Sequence, residues 1–234
     1  IKSIKSNKNS NVRIFSQPKY ILPPDLIYDI HANLDDLKYS VKKLSSKIYI
    51  FKKDINNLLD YEKELTNEIF NKLNNQIILC KRNKGVWSVE DIHETILYKN
   101  KKIDFKDLNE GIPIMCTKNN NDIGLSNGDI GVLIGKSENR RFLFKIFDKH
   151  NQPLIRLINP SSIHNIVPAI AITIHKSQGS EAKKVCILWD NSLNTTRKSP
   201  IRSKKNNIFF ENDFERRLFY TAITRAKNHL DLYY

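Results

Sequence analysis

Two short apolar runs, residues 167–172 (VPAIAI) and 185–189 (VCILW), bracket a polar segment, residues 173–181 (TIHKSQGSE). No other stretch restricts the fold as much. Short apolar runs bounded by polar punctuation read as buried strands. The segment between them has little bulk, a glycine at its hinge, and side chains that must face out of the sheet. In an open α/β sheet the ground beyond the strand ends is where ligands bind. Taken alone, these residues also fit a solvated connection between strands.

The end of the chain narrows the choice. Residues 213–226 have helical spacing, with Phe214, Leu218, Ala222 and Ala226 along one apolar face and Phe219 and Ile223 flanking it. Arg217, Thr221, Thr224 and Arg225 fall on the opposite side, so Arg225 projects from near the helix end. Residues 228–234 (NHLDLYY) read as a final strand.

Composition sets outer limits. The chain has 234 residues, 40% of them hydrophobic, enough to bury a core in one large domain or two small ones. Its formal charge of +14 favours a polyanionic partner such as nucleic acid. Cys80, Cys116 and Cys186 stand singly in apolar contexts, which fits reduced core residues in a cytoplasmic protein. No histidine cluster suggests a metal site, so the expected metal set is empty. No apolar run approaches the length of about 18 residues that suggests a membrane span. The opening at Ile1 instead of Met suggests a piece of something longer.

Residues 1–24 are rich in Lys, Asn and Ser and read as a linker or the tail of an upstream domain. Leu34, Leu37, Val41, Leu44 and Ile48 form one helical stripe, and Ile55, Leu58, Leu59, Leu65, Ile69 and Leu73 another. Residues 76–80 (QIILC) suggest a buried strand, followed by a basic loop and a helix from Ser88 to Tyr98. A basic loop between a strand and a helix start can hold phosphate. Between residues 111 and 167, short β-rich runs split by turns predict a small antiparallel barrel. Residues 131–137 (GVLIGKS) come one residue short of a phosphate-binding P-loop and read as a β-turn. Residues 191–212, with Arg197, Lys198, Arg202, Lys204 and Lys205, read as a surface insert.

Residues 173–181 and residues 218–226 (LFYTAITRA) resemble the fifth and sixth helicase motifs of superfamily 1, in the wording of the RecD-like branch. Residues 111–132 are similar to the entry of the small Src-homology-like barrel inserted in those helicases. Residues 80–93 fit a further RecD-like segment at Cys80, Gly85, Val89 and Ile92. They depart from it at Asn83, which takes the family's arginine position with Arg82 one step early, and at Ser88 and His93.

The resemblance implies a fold and a division of the chain. The fold is α/β, a RecA-like second motor domain of P-loop NTPase type, with a parallel sheet, helices on both faces and the inserted β-barrel. The expected division is linker 1–24, motor domain 25–115, barrel 116–166 and motor domain 167–234. It further implies a DNA helicase and ATPase of the exodeoxyribonuclease V alpha-subunit type in the full-length protein, moving 5′→3′ on single-stranded DNA. Without a P-loop, this chain alone should be inactive.

By the same resemblance Arg225 is the catalytic arginine finger. Glu181, Gly179, Gln178 and Arg82 would meet the nucleotide, and Thr173, His175, Lys176, Ser177 and Thr221 would meet DNA. ATP and Mg2+ would be bound mainly by an upstream RecA-like domain, and RecB- and RecC-type subunits would be partners. A DNA-binding or interaction module that has lost its motor chemistry stays open. So does a UvrD-type helicase, since residues 215–220 (ERRLFY) resemble that branch too.

Overall fold

Val185, Cys186, Ile187, Leu188 and Trp189 are fully buried, every one in sequence, so this strand is covered on both faces. A run with no alternation is what a parallel sheet between helices requires. The computed structural model describes residues 11–17, 21–50, 62–98, 108–136, 139–147, 152–190, 210 and 212–234. In chain order the elements are β1 (Asn11–Phe15), α1 (Pro24–Ile50), α2 (Lys63–Leu73), β2 (Gln76–Cys80), α3 (Val89–His93) and a π-helical turn (Glu94–Tyr98). Then come β3 (Pro113–Cys116), β4 (Ile130–Ile134), β5 (Arg141–Phe147), β6 (Pro153–Ile158), β7 (Ile166–Pro168) and β8 (Ala171–Thr173). A 3-10 turn (Ile174–Ser177), β9 (Ala182–Leu188), α4 (Asp213–Ile223) and β10 (Ala226–Tyr233) complete it.

The chain divides into two compact units. The first comprises Ile1–Pro23, Asn75–His93 and Ala171–Tyr234. Its sheet has the order β1-β10-β9-β2-β8, and every neighbouring pair is parallel. Parallel neighbours need crossovers, which are right-handed. The connections β8 to β9 and β9 to β10 step the same way along the sheet, so the 3-10 turn and α4 share one face. The connection leaving β2 through α3 steps the other way and takes the opposite face. Trp189 anchors the α4 side, meeting the Phe219 ring edge-on at 4.9 Å. This is the parallel, helix-covered sheet expected of a RecA-like motor domain.

β1 corrects the linker reading of residues 1–24. It is an edge strand, held by Arg13, whose Nε and Nη2 donate to the Asp231 carboxylate at 2.7 and 2.6 Å. An alternation limited to Val12 and Ile14, too short to stand out in a Lys-rich context, hid it. Residues 1–10 and 18–20 lie outside the described residues.

The second unit comprises Pro24–Asn74 and Glu94–Ile170. Its sheet, β6-β5-β4-β3-β7, is antiparallel throughout. One face packs Val132, Ile134 and Leu143 against Leu37, Val41 and Leu44 of α1 and Ile69 and Phe70 of α2. The other face buries Leu133, Phe142, Phe144 and Ile146 with Leu125 and Ile163 from the connections. Two expectations change here. The helical stripes belong to the antiparallel unit, not to the parallel sheet, because their apolar faces cover β4 and β5. Among the described residues β6 and β7 are not paired to each other, so the antiparallel strands form an open sheet and not a closed barrel. Ile55, Leu58 and Leu59 lie outside the described residues.

The P-loop-like stretch sits at the β4–β5 hairpin, between two antiparallel strands and not before a helix. Gly131 is within β4, where an added Cβ would lie 2.4 Å from the Leu143 carbonyl oxygen, so strand proximity requires glycine there. Ser137 lies outside the described residues.

Candidate functional site

Register fixes where each end of the polar segment lies. Thr173 pairs with Cys80, the last residue of β2, and Cys80 also pairs with Leu188, the last residue of β9. At the other edge Ala226 pairs with Ala182, the first residue of β9. Residues 174–181 therefore run from the C-terminal edge of the sheet to its N-terminal edge, the length of β9. Seven residues of strand span about 20 Å. α4 crosses in the same direction beside them, and the two packed segments form one continuous surface.

At the N-terminal edge the two motif segments meet. The Ala182 N–H donates to the Arg225 carbonyl at 3.0 Å. The Arg225 guanidinium donates to the Thr221 carbonyl (3.2 Å), the Ser180 carbonyl (3.4 Å) and the Thr224 hydroxyl (3.1 Å). All of these acceptors are neutral, so among the described residues no carboxylate cancels its charge. Gly179, with φ +87°, turns the chain just before, and nothing lies within 4 Å of where its Cβ would be. Its glycine answers the backbone conformation, which other side chains rarely adopt. Gln178 and Gly179 are exposed. Glu181 pairs with Lys227 at 3.2 Å with both side chains about half exposed, a contact worth little in stability.

At the C-terminal edge the residues sort by exposure. Thr173 and Ser177 are buried, and the Ser177 hydroxyl donates to the Ile174 carbonyl at 2.7 Å. Ser177 shapes the turn, the Thr173 side chain makes no capping hydrogen bond there, and the burial of both runs against the expectation that they face DNA. His175 is exposed and Lys176 half-buried. The His175 ring stacks on Phe214, with centroids 5.6 Å apart and planes at 29°. Thr221 is half-buried and spends its hydroxyl on the Arg217 carbonyl.

Arg82 stands apart from the residues it was grouped with. It follows β2 at the C-terminal edge, while Arg225 and Glu181 are at the N-terminal edge. Its guanidinium pairs with Asp190 at 3.1 Å. The adjoining loop is also not an open phosphate cradle. The Val89 and Glu90 N–H groups donate to the Arg82 and Asn83 carbonyls, and the Asp91 N–H to the Ser88 hydroxyl. Ser88 thereby caps α3, and Asp91 accepts in return from the Trp87 N–H at 2.9 Å. The helix-start amides are consumed by the chain itself. His93 is buried, receives the Ala171 N–H on Nε2 at 3.4 Å, and is pushed down to about 4 by that burial. Among the described residues no three His, Cys, Asp or Glu side chains gather as a metal site would need.

No family model matches the chain. Among curated proteins it is similar to the RecBCD enzyme subunit RecD of Buchnera aphidicola from Acyrthosiphon pisum, 26% identical over 99% of this chain and 38% of the relative. The same subunit from the Buchnera of Schizaphis graminum is 29% identical over 74% of this chain and 27% of its own length. That of Mycolicibacterium smegmatis is 33% identical over 51% of this chain and 17% of its own length. The chain is RecD-like. It spans less than two fifths of the length of these curated relatives. Among solved structures, Bacteroides Pif1 bound to ssDNA matches 67% of this chain and 40% of its own at 17% identity, with a TM-score of 0.37, too slight a likeness to carry weight.

In this RecD-like chain the sequence reading missed a charged cluster at the C-terminal edge. Lys81 pairs with Glu215, at the first turn of α4, and its ammonium lies 5.1 Å from the Trp189 ring centroid. Both partners are largely buried, as is Asp190 beside Arg82. The one available signal was the pattern Asn212-x-x-Glu215, a capping-box spacing. Asn212 does cap α4, accepting from the Glu215 N–H at 2.9 Å. The Glu215 side chain turns instead to Lys81. Phe214 also departs from expectation. It was assigned to the apolar face of α4 and is 59% exposed, while Leu218, Phe219, Ala222 and Ile223 make the buried face. The surface insert at 191–212 lies mostly outside the described residues.

Proposed function

We propose that the chain is the C-terminal motor half of a RecD-type DNA helicase, which couples ATP hydrolysis to 5′→3′ movement on single-stranded DNA in double-strand-break repair. RecB- and RecC-type subunits would be its partners. ATP and Mg2+ would be held mainly by an upstream RecA-like domain, with Arg225 reaching the γ-phosphate as an arginine finger. The observation that carries this reading is the Arg225 guanidinium, held by neutral acceptors beside the open Gly179 turn. Phosphoryl transfer builds charge on the γ-phosphate oxygens, and a planar, permanent cation can pair two of them. Gln178 and Gly179 would wall the same cleft, and Glu181 would accept from the ribose. His175, Lys176 and Thr221, which keep exposed surface, would meet the strand.

The span of the polar segment supports coupling in the same reading. One end would follow the nucleotide and the other the DNA, so a change at one edge displaces the other. Coupling of this kind needs an element whose contacts differ between two states. The test is single-strand-stimulated ATP hydrolysis by the full-length protein, wild type against Arg225→Ala. A loss on the order of 10³-fold is expected. Equal rates would remove Arg225 from catalysis.

A further inference from the structure

Phe214 begins a stripe on α4 that continues through Arg217 to Thr221, at helical spacings of three and four residues. Arg225 follows two residues beyond the end of the helix, its guanidinium reaching back to the Thr221 carbonyl. The stripe covers about 10 Å at 1.5 Å per residue. Its near end is an aromatic pair: Phe214, 59% exposed, in stacking contact with the exposed ring of His175. Lys176 follows His175 in the chain, and Arg217 lies one helical turn from Phe214, exposed.

The chemistry of this end is specific. The buried face of α4 is complete without Phe214, since Leu218, Phe219, Ala222 and Ile223 supply it. Phe214 is in ring contact with the imidazole of His175 and otherwise 59% exposed. Two rings in an offset, tilted stack, with cations on the flanking positions and a net charge of +14 on the chain, match a nucleobase and its phosphate. A free phosphate would need the cations but not the rings.

From this juxtaposition we infer that the His175–Phe214 pair is a stacking platform for a base of single-stranded nucleic acid, with Lys176 and Arg217 receiving the adjoining phosphates. The inference rests on the proposed DNA track and adds to it a base contact. It also gives the pair a function tied to position. The platform sits at the C-terminal edge of the sheet, and Arg225 at the other, so a base stacked on Phe214 loads the near end of the helix whose far end leads into Arg225.

The test compares two oligonucleotides of equal length and charge, an oligothymidylate and its abasic counterpart, each binding the full chain. Fluorescence anisotropy at fixed salt reads the affinities. Wild type is expected to prefer the base-bearing strand by about tenfold or more, as stacking on one aromatic platform gives. Phe214→Ala brings the affinity for oligothymidylate down towards that for the abasic strand, and Phe214→Trp keeps the preference. An unchanged thermal midpoint in both variants certifies folding, since the side chain is exposed. Equal binding of both strands by wild type overturns the platform while leaving the DNA track, and assigns the rings to a protein contact. A base preference that survives Phe214→Ala also overturns it. Binding of neither strand removes the track and the platform together.

Discussion

Lys81 and Glu215 are the most consequential pair of single residues outside the motif loop. With side-chain exposures of 14% and 8%, each charge relies on the other in place of water. Such a pair contributes little over an apolar substitute, but removing one partner leaves a buried charge and costs about 3–5 kcal/mol. Glu215→Gln should therefore lower the urea midpoint sharply, and Lys81→Met combined with Glu215→Leu should regain most of the loss. Additive losses in the double variant would show that the two do not act as a pair. His93 makes a second prediction at this scale. Its imidazole titrates near 6.5 when unfolded, and burial lowers it to about 4 in the fold. Between those values the unfolded chain holds a proton that the folded chain lacks. Its stabilising contribution is complete above about pH 6.5 and is lost as pH falls towards 4. Stability measured across that window should fall with a slope near 1.4 kcal/mol per pH unit, which His93→Gln should flatten.

β1 is tied to β10 by backbone pairing, by the Phe15–Tyr233 stack and by a charged contact to Asp231. Burial alone would raise the Asp231 carboxyl, but the Arg13 hydrogen bonds and the charges of Lys184 and Arg13 outweigh it and hold the group below the ordinary range. Arg13 reaches it as a bidentate fork, and Lys184 stands 3.3 Å away. The contribution is present above the unfolded carboxyl's value and is lost as pH falls through the lowered one. Asp231→Asn should release β1 before the rest of its sheet. Hydrogen exchange checks this: the amides of Asn11–Phe15 should exchange faster while those of β9 stay protected. Equal changes in both strands would mean that β1 is not held locally. Elements were legible where local pattern sufficed: β2, β8 and β9 from apolar runs, α4 from its period, the hairpin strands from their turns. β1 was not, since five residues carry too weak an alternation. Phe214 was misplaced because spacing alone cannot tell the centre of a helix's buried face from its rim.

At the scale of the molecule, catalysis and DNA binding should separate. If the proposed motor reading holds, purified chain supplied with ATP, Mg2+ and oligothymidylate should show no turnover above background, because the phosphate-binding loop lies elsewhere. Measurable DNA-dependent phosphate release would sink that reading. The same chain carries 39 basic against 25 acidic residues. Its affinity for a single strand should fall linearly with salt on logarithmic axes, by about 0.7 for each phosphate contacted. A salt-independent affinity would show that the charge plays no part in binding.

The sequence by itself determined the motif segments, the strands that flank them, the helix that leads into Arg225, and the likeness to RecD. Each is written within a few consecutive residues, in apolar runs, helical periods and fixed spacings. Tertiary structure decided which of these meet. Strand order and register brought Ser180 and Ala182 to Arg225, sent Arg82 to the opposite edge, buried Thr173 and Ser177, and gave the paired helices to the antiparallel sheet. Those outcomes depend on contacts between residues far apart in the chain, as between Ser180 and Arg225, 45 positions apart. Local pattern states that a segment has an apolar face; only long-range packing states what covers it.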